Sequence, residues 1–480
     1  MARTFSSSYR DNVALVNDMI GVGTSFDIVT KEFEADGWHY TVYLVNGFAQ
    51  DLLQLEIIEE ITSGALDRKK GESLLSGRLS YPMTVTTKDV DTFIVDVLSG
   101  QLGILIEGTD EAAVLDTRSY PDRDPSEPDT ERVLTGPRDG FIETILFNVA
   151  LVRRRMRDPN LRFKLLRAGI HTKVDVALAY VKGYTSEKLV DAVWEKLENI
   201  DAAGVAMAEQ TVEEALSGGA FWNPFPVART TERPDVVAES LEEGRVAVMV
   251  DTSPMAIVAP MPYLSHLHSP EDYHLSAAAG TFLRWVSLVA LIVGTWLTPV
   301  WMVQALHPIP ALRIIGPSSP PSYSLVAQFL LAEVGIDIIR RALLAAPSTI
   351  AQAMSILAAV ILGQLATKIN LFTPEVLVYS AIAAVALFAV PSLELGMAHR
   401  LVRVALIILG GIIGWWGIIL GSAGLFALLL SMNSFGLPYL WPLIPFDGKA
   451  LLSIFVREPL THRAKGPKRI LRLDPRGGTA

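Results

Sequence analysis

The rhythm of apolar and polar residues changes near residue 279. Before that point, apolar residues come in short runs broken by Gly, Asp and Pro. "WHYTVYLVNGF" and "DTFIVDVLSGQLGILIEGTDEAAVLDT" are rich in β-forming residues and read as strands and hairpins. A proline-rich acidic stretch, Ser119 to Arg132, then predicts a subdomain boundary. Beyond it, "GFIETILFNVALVRRRM" has apolar residues at helical spacing. "DVALAYVKGYTSEKLVDAVWEKLENI" predicts a strand, a turn and an amphipathic helix capped by Thr185 or Ser186. "RPDVVAESLEEGRVAVMVDTSPMAIVAP" predicts a helix closed by Gly244, then two strands. The expected architecture is a soluble α+β N-terminal region made of two α/β-type subdomains, residues 1–125 and 133–278.

After residue 278 the pattern is that of lipid-facing helices. "WVSLVALIVGTWLTPVWMVQAL", between Arg284 and His307, has no charge and is long enough to cross the roughly 30 Å hydrocarbon core as a helix of about 20 residues. Further uncharged runs extend from Ala342 to Thr367, Val376 to Leu393 and Val404 to Phe446. Only short segments holding Lys368, Glu375, Glu394, His399, Arg400 and Arg403 separate them. This predicts an all-α polytopic membrane domain over 279–455, followed by a basic tail over 456–480. The N-terminus lacks the pattern of a secretory signal peptide, so the N-terminal region is expected to stay cytoplasmic. The tail, "REPLTHRAKGPKRILRLDPR", reads as a cytoplasmic anchor beside anionic headgroups, or else as a nucleic-acid tail. Two cytoplasmic ends require an even number of crossings, whereas the apolar runs and one charged stretch together number five. Either the charged stretch does not cross, or the segment from Val404 to Phe446 crosses more than once.

That charged stretch is "QFLLAEVGIDIIRRALLAAP", Gln328 to Pro347. Glu333, Asp337 and either Arg340 or Arg341 fall on one helical stripe, with Leu331, Ile338 and Ile339 opposite. Each charge placed in hydrocarbon costs at least about 2.5–3.5 kcal/mol, so the stripe must face protein, water or headgroups. Three arrangements fit. The stripe lines an ion path, with Glu333 and Asp337 attracting cations and Arg340 and Arg341 at its mouth. Alternatively its charges pair, Asp337 with Arg341, and lock neighbouring subunits. In the third arrangement the segment lies along the interface. Further on, "GGIIGWWGIILGSAG" spaces Gly410, Gly414, Gly417, Gly421 and Gly424 by four and three, as if along one helix face. Small residues at that spacing suit close helix packing within or between subunits, or a glycine-lined pore.

Composition narrows the chemistry. No cysteine is present, which removes disulfides and thiolate sites, and a net charge of −10 argues against nucleic acid as a general partner. No P-loop, nucleophile elbow, zinc-protease or dinucleotide motif occurs, so neither an enzyme nor a cofactor is expected. His266 and His268, near Glu271, Asp272 and His274, invite a metal reading but suit packing residues better. The run Arg153, Arg154, Arg155 and Arg157 fits a phosphate clamp, a solvated helix end, or bonds to acidic groups of a neighbouring subunit.

The strings "GPRDGFIETILFNVALVRRRMRDPNLR", "NPFPVARTTERPDVVAESLEEGRVAVMVDTSP", "SPEDYH", "FLRW" and "FTPEV" resemble, in this order, the A subunits of the GerA-type spore germinant receptors, from about residue 20 to 457. "GVGTSFDIV", "YLVNGF", "IDIIRRA" and "PYLWPLIPFD" are similar to the stage V sporulation protein AF branch of that family. The resemblance implies a multi-pass protein of the inner spore membrane that forms a ring-like homo-oligomer around a path for monovalent cations. It also implies a separate small membrane subunit or other germination proteins as partners. A non-conducting scaffold or coupling subunit is the alternative. In either case Glu333, Asp337, Arg340 and Arg341 are candidates for the ion path. The arginine run, with Gly410, Gly414, Gly417 and Gly421, is the candidate subunit interface.

Overall fold

Two eight-residue strands, β1 (Ile28–Ala35) and β2 (Trp38–Val45), pair antiparallel around Gly37, whose positive φ of 77° suits glycine in so tight a turn. The computed structural model describes residues 3–35, 37–48, 56–59, 84–117, 131, 133, 135–200, 208–218, 222–309, 316–318, 320–345 and 366–457. Most of the acidic stretch Ser119 to Arg132, most of the run Ala342 to Thr367 and the basic tail beyond Arg457 lie outside those residues. The chain divides into two compact units. One spans Met1–Gly219 and Ala228–Pro260, and the other spans Ala220–Val227 and Met261–Arg463. Residues 261–278, expected to close the second subdomain, therefore belong to the helical unit.

The first unit repeats one topology. β1 and β2 continue through β4 (Leu102–Ile106), β5 (Ala112–Leu115) and β3 (Thr84–Thr87), in the order β1-β2-β4-β5-β3. The second sheet holds β6 (Leu161–Ala168), β7 (Val174–Val181), β8 (Arg229–Thr231), β9 (Val246–Val250) and β10 (Ala256–Ala259), in the equivalent order β6-β7-β9-β10-β8. Every pairing among the described residues is antiparallel, so these sheets are of α+β type and differ from the parallel sheet that alternating elements would imply. Helix α1 (Tyr9–Ile20) precedes β1 and α2 (Val90–Leu98) enters β4. In the second copy α3 (Ile145–Arg155) precedes β6, α4 (Glu187–Glu198) and α5 (Ala208–Ser217) follow β7, and α6 (Pro234–Glu242) enters β9.

The duplication extends to side chains. Phe5 and the string Asn12-Val13-Ala14-Leu15-Val16 recur at the same spacing as Phe141 and Asn148-Val149-Ala150-Leu151-Val152. Buried Asn12 accepts from the Ser6 amide at 2.9 Å and donates to the Ser6 carbonyl at 2.8 Å. Buried Asn148 does the same with Ile142, at 2.8 and 2.6 Å. Each asparagine satisfies both polar groups of the residue six positions before it, which fixes the entry to its helix.

The strands expected over Asp91 to Leu98 are instead the helix α2. Its β-branched residues disguise a helical spacing, with Val90, Phe93, Ile94, Val97 and Leu98 all buried, and Asp89 caps it by accepting from the Thr92 amide. Elsewhere the pattern holds, with β7 and α4 starting where predicted and α6 ending just before Gly244 in a left-handed conformation.

A fully buried ion pair joins the two copies. Arg153 Nε donates to Asp27 Oδ2 at 2.9 Å, Ser25 Oγ donates to Asp27 Oδ1 at 2.6 Å, and the remaining Arg153 nitrogens reach the carbonyls of Asp158 and Leu161. Arg153 is thereby spent inside its own subunit and withdrawn from the candidate subunit interface. Arg155 is tied to Asp139 at 2.5 Å, which leaves Arg154 and Arg157 as the exposed members of the run.

The second unit is helical. α7 (Pro270–His274) leads to α8 (Ala277–Leu306), about 45 Å long at 1.5 Å per residue. α8 packs chiefly on α10 (Pro374–Phe388) and α11 (Leu393–Ile413), with α9 (Leu325–Ala345), α12 (Trp415–Ser431) and α13 (Gly448–Phe455) around them. Among the described residues, α8 and α11 are long and apolar enough to cross a membrane, whereas α10 and α12 are apolar but shorter. α9 has the length but carries the charged stripe. The glycine string does not line one helix. The chain breaks at Gly414, with φ 62° and ψ −138°, and folds α12 back on α11. Gly417 then sits against the neighbouring backbone, where an added Cβ would lie 2.2 Å from the Leu409 carbonyl oxygen.

Two stability predictions follow from these contacts. Asp27→Ala in the full chain leaves Arg153 buried without its counter-charge and is expected to cost about 3–5 kcal/mol in denaturant unfolding. A loss below about 1 kcal/mol would contradict that role. Gly417→Ala should lower the thermal unfolding midpoint, whereas Gly424→Ala, with nothing within 4 Å of its added Cβ, should leave it unchanged or raise it slightly. Equal effects would mean that close approach at Gly417 contributes nothing.

Candidate functional site

The buried faces of α9 and α11 carry charge where a core normally carries hydrocarbon. On α9 the buried residues are Leu325, Gln328, Phe329, Ala332 and Glu333, a helical stripe ending in a carboxylate. On α11 the buried face runs through Leu395, His399, Arg400, Arg403, Leu406 and Gly410. Gln328 anchors the lower end, accepting from the Thr373 amide at 2.8 Å and donating to the Tyr323 carbonyl at 3.0 Å.

These faces meet in a cluster of four charges. Glu333 Oε2 accepts from Arg403 Nη2 at 2.7 Å and lies 3.5 Å from Arg400 Nε, with the side chains of Glu333 and Arg403 only 3% and 1% exposed. Arg403 Nη1 donates to the Gly294 carbonyl of α8 at 2.6 Å, and Arg400 Nη2 donates to the Glu333 carbonyl at 3.1 Å. Arg400 Nη1 reaches Asp337 Oδ1 at 2.5 Å, and Asp337 remains 49% exposed. Gly294 lets α8 and α10 close up at this level, since an added Cβ would fall 2.6 Å from the Leu387 side chain.

Asp337 therefore pairs across to α11 and not with Arg341 along its own helix. Arg341 is exposed and has no ion-pair partner among the described residues, while Arg340 donates to Met397 Sδ at 2.8 Å and lies 5.3 Å from the Phe388 ring centroid. The stripe read from the sequence splits by function. Glu333 is a buried tie, Asp337 is half-exposed, and the two arginines stand apart from both acids. In the sequence Arg400 and Arg403 stand as interruptions between apolar runs, and their spacing of three inside an apolar helix is the signal that they share a face.

One turn away, His399 is fully buried between Thr295 of α8 and Tyr263, which lies in a short 3-10 turn (Tyr263–Leu267) ahead of α7. Thr295 Oγ1 donates to the Leu291 carbonyl at 2.7 Å, which leaves it to accept from His399 Nδ1 at 2.9 Å; His399 Nε2 then accepts from the Tyr263 hydroxyl at 2.7 Å. Burial raises the Tyr263 phenol above its usual range and keeps it a donor. His268 serves packing, its Nε2 lying 3.2 Å from the Ile454 carbonyl. Asp272 and Arg284, from "SPEDYH" and "FLRW", lie 3.5 Å apart, and Arg284 Nη1 also donates to the Ser453 carbonyl at 2.8 Å. These contacts clasp α7, α8 and α13 together.

Residues 16–469 match the Bacillus/Clostridium GerA spore germination protein family. The chain is 36% identical over 454 residues to the stage V sporulation protein AF of Bacillus subtilis (strain 168), covering 93% of this chain and 92% of that protein. It is 30% identical over 470 residues to the spore germination protein KA of the same organism, covering 94% of this chain and 85% of that one. A crystal structure of the N-terminal domain of the A subunit of the Bacillus megaterium spore germinant receptor GerK3 aligns with 55% of this chain and 98% of its own, at 22% identity and a TM-score of 0.41. Matched over nearly its whole length, the chain belongs to the GerA spore germination protein family.

Proposed function

We propose that the chain acts as a multi-pass protein of the inner spore membrane, with its N-terminal region cytoplasmic and its copies assembled into a ring around a path for monovalent cations. A small membrane subunit or other germination proteins would complete the assembly. Its germination role follows from the family. Membrane insertion is supported by α8 and α11 and by the apolar side chains turned outward. On α8 these are Phe282, Val286 and Val289, on α11 Leu401, Ile408 and Ile412, and on α12 Trp416, Ile419 and Leu420. Water disfavours so much exposed apolar surface, and lipid does not.

The observation that carries the conduction reading is the half-exposed carboxylate of Asp337, held by one arginine at the edge of a buried charge cluster. Glu333 is neutralised at its core and is unsuited to meeting an ion. In this conformation the cluster works as a lock on α8, α9 and α11, and Asp337 is the acid left to attract a cation. A second reading, a non-conducting scaffold or coupling subunit, gains from the charge count, because Arg340, Arg400 and Arg403 outnumber Glu333 and Asp337 and repel cations.

Potassium flux through vesicles reconstituted with the full chain separates the two. Conduction predicts flux above protein-free vesicles, reduced about tenfold by Asp337→Asn while the oligomer elutes unchanged. Flux that the substitution leaves unaltered would overturn Asp337's role, and no flux from the wild-type chain selects the scaffold.

A further inference from the structure

Beside the charge cluster, an open pocket lies between α9, α10 and α11. Three of its lining residues are arginines, Arg340, Arg400 and Arg403; its apolar walls include Leu387, Phe388 and Met397, and no carboxylate lines it. Arg400 and Arg403 are more than nine-tenths buried, and Arg403 Nε has no hydrogen-bond partner among the described residues. Among the described residues, Arg340 at the rim meets a thioether and an aromatic face and no carboxylate. Behind the pocket, Glu333 and Asp337 neutralise Arg403 and Arg400. Among the described residues, three guanidinium groups thus face two carboxylates, and the charge of Arg340 stands beside an apolar wall with no carboxylate paired to it.

A buried or half-buried guanidinium left so is costly, and the group best matched to its planar fork is an oxyanion of carboxylate or phosphate type. We infer that the pocket binds a singly charged phosphate-type oxyanion, with Arg340 as its main ligand and Arg403 and Arg400 behind it. The lipid-like walls at Leu387 and Phe388 suit the phosphodiester of an anionic lipid headgroup, and a free phosphate ion offers the same oxygens. Either ligand supplies the missing negative charge and removes the excess that repels cations near Asp337. The site concerns binding alone and stands whether or not the protein conducts.

The test uses the purified full chain in an uncharged maltoside detergent at fixed ionic strength. Its thermal unfolding midpoint is followed against short-chain phosphatidylglycerol, short-chain phosphatidylcholine and sodium phosphate in separate titrations. A saturable rise with phosphatidylglycerol alone assigns a lipid headgroup, and a saturable rise with sodium phosphate as well assigns a free oxyanion site. In either case Arg340→Gln should shift half-saturation about tenfold upward, as expected for losing one charge-assisted contact. Arg340→Lys, which keeps the charge without the fork, should shift it less. The proposal is overturned if neither phosphatidylglycerol nor phosphate raises the midpoint. It is equally overturned if Arg340→Gln binds as tightly as wild type, or if phosphatidylcholine matches phosphatidylglycerol in both proteins.

Discussion

The carboxylate of Glu333, held by Arg403 at 2.7 Å and backed by Arg400, is the contact on which the helical unit depends. In a buried setting each of these charges alone would cost several kcal/mol, so each is tolerable only while the others are in place. The geometry recruits three helices, since Arg403 also holds the Gly294 carbonyl of α8 and Arg400 holds the backbone of α9. In the membrane setting proposed for this unit, association between helices lacks a hydrophobic drive and rests on close packing and polar contacts. Gly294 and Gly417 provide the first, and the Glu333 cluster provides the second.

The unit that carries the two sheets uses a related device. Asp27 and Arg153 have no exposure, and the arginine completes its bonds on the carbonyls of Asp158 and Leu161. This pair lies where the first copy of the five-stranded topology meets the second, while the Asn12 and Asn148 clamps fix the helix entry within each copy. Burying charge specifies one arrangement because the alternatives leave an ion unpaired. Both units place their arginines at such points, which explains why Arg153 and Arg403 are inward-facing despite their charge.

Local patterns made much of the fold legible. The uncharged run around α8, the strand and helix after Val174, and Gly244 as a helix stop all followed from spacing and turn chemistry. Val90 to Leu98 misled because its Val and Ile residues favour strands, and only the i, i+3, i+4 burial pattern marks it as a helix. Gly414 carried no signal distinguishing it from the glycines that pack, and it broke the helix. The duplicated topology was present in the sequence as the repeated Asn-Val-Ala-Leu-Val string. Among the charges, the stripe on α9 was visible, but its partners were not. Arg400 and Arg403 reach Glu333 across 67 and 70 residues, and no local periodicity encodes such a pairing. The half-exposure of Asp337 and the surplus guanidinium of Arg340 became visible only once α10 and α11 were in place.

The pairing of Glu333 with Arg403 is tested most directly by a double-mutant cycle on the full chain in detergent, with Glu333→Gln, Arg403→Gln and the double variant compared by denaturant unfolding. A buried, coupled pair predicts that each single change is strongly destabilising and that the double variant is more stable than their sum implies, with a coupling of about 2–3 kcal/mol. Additive losses, within about 0.5 kcal/mol, would contradict the lock.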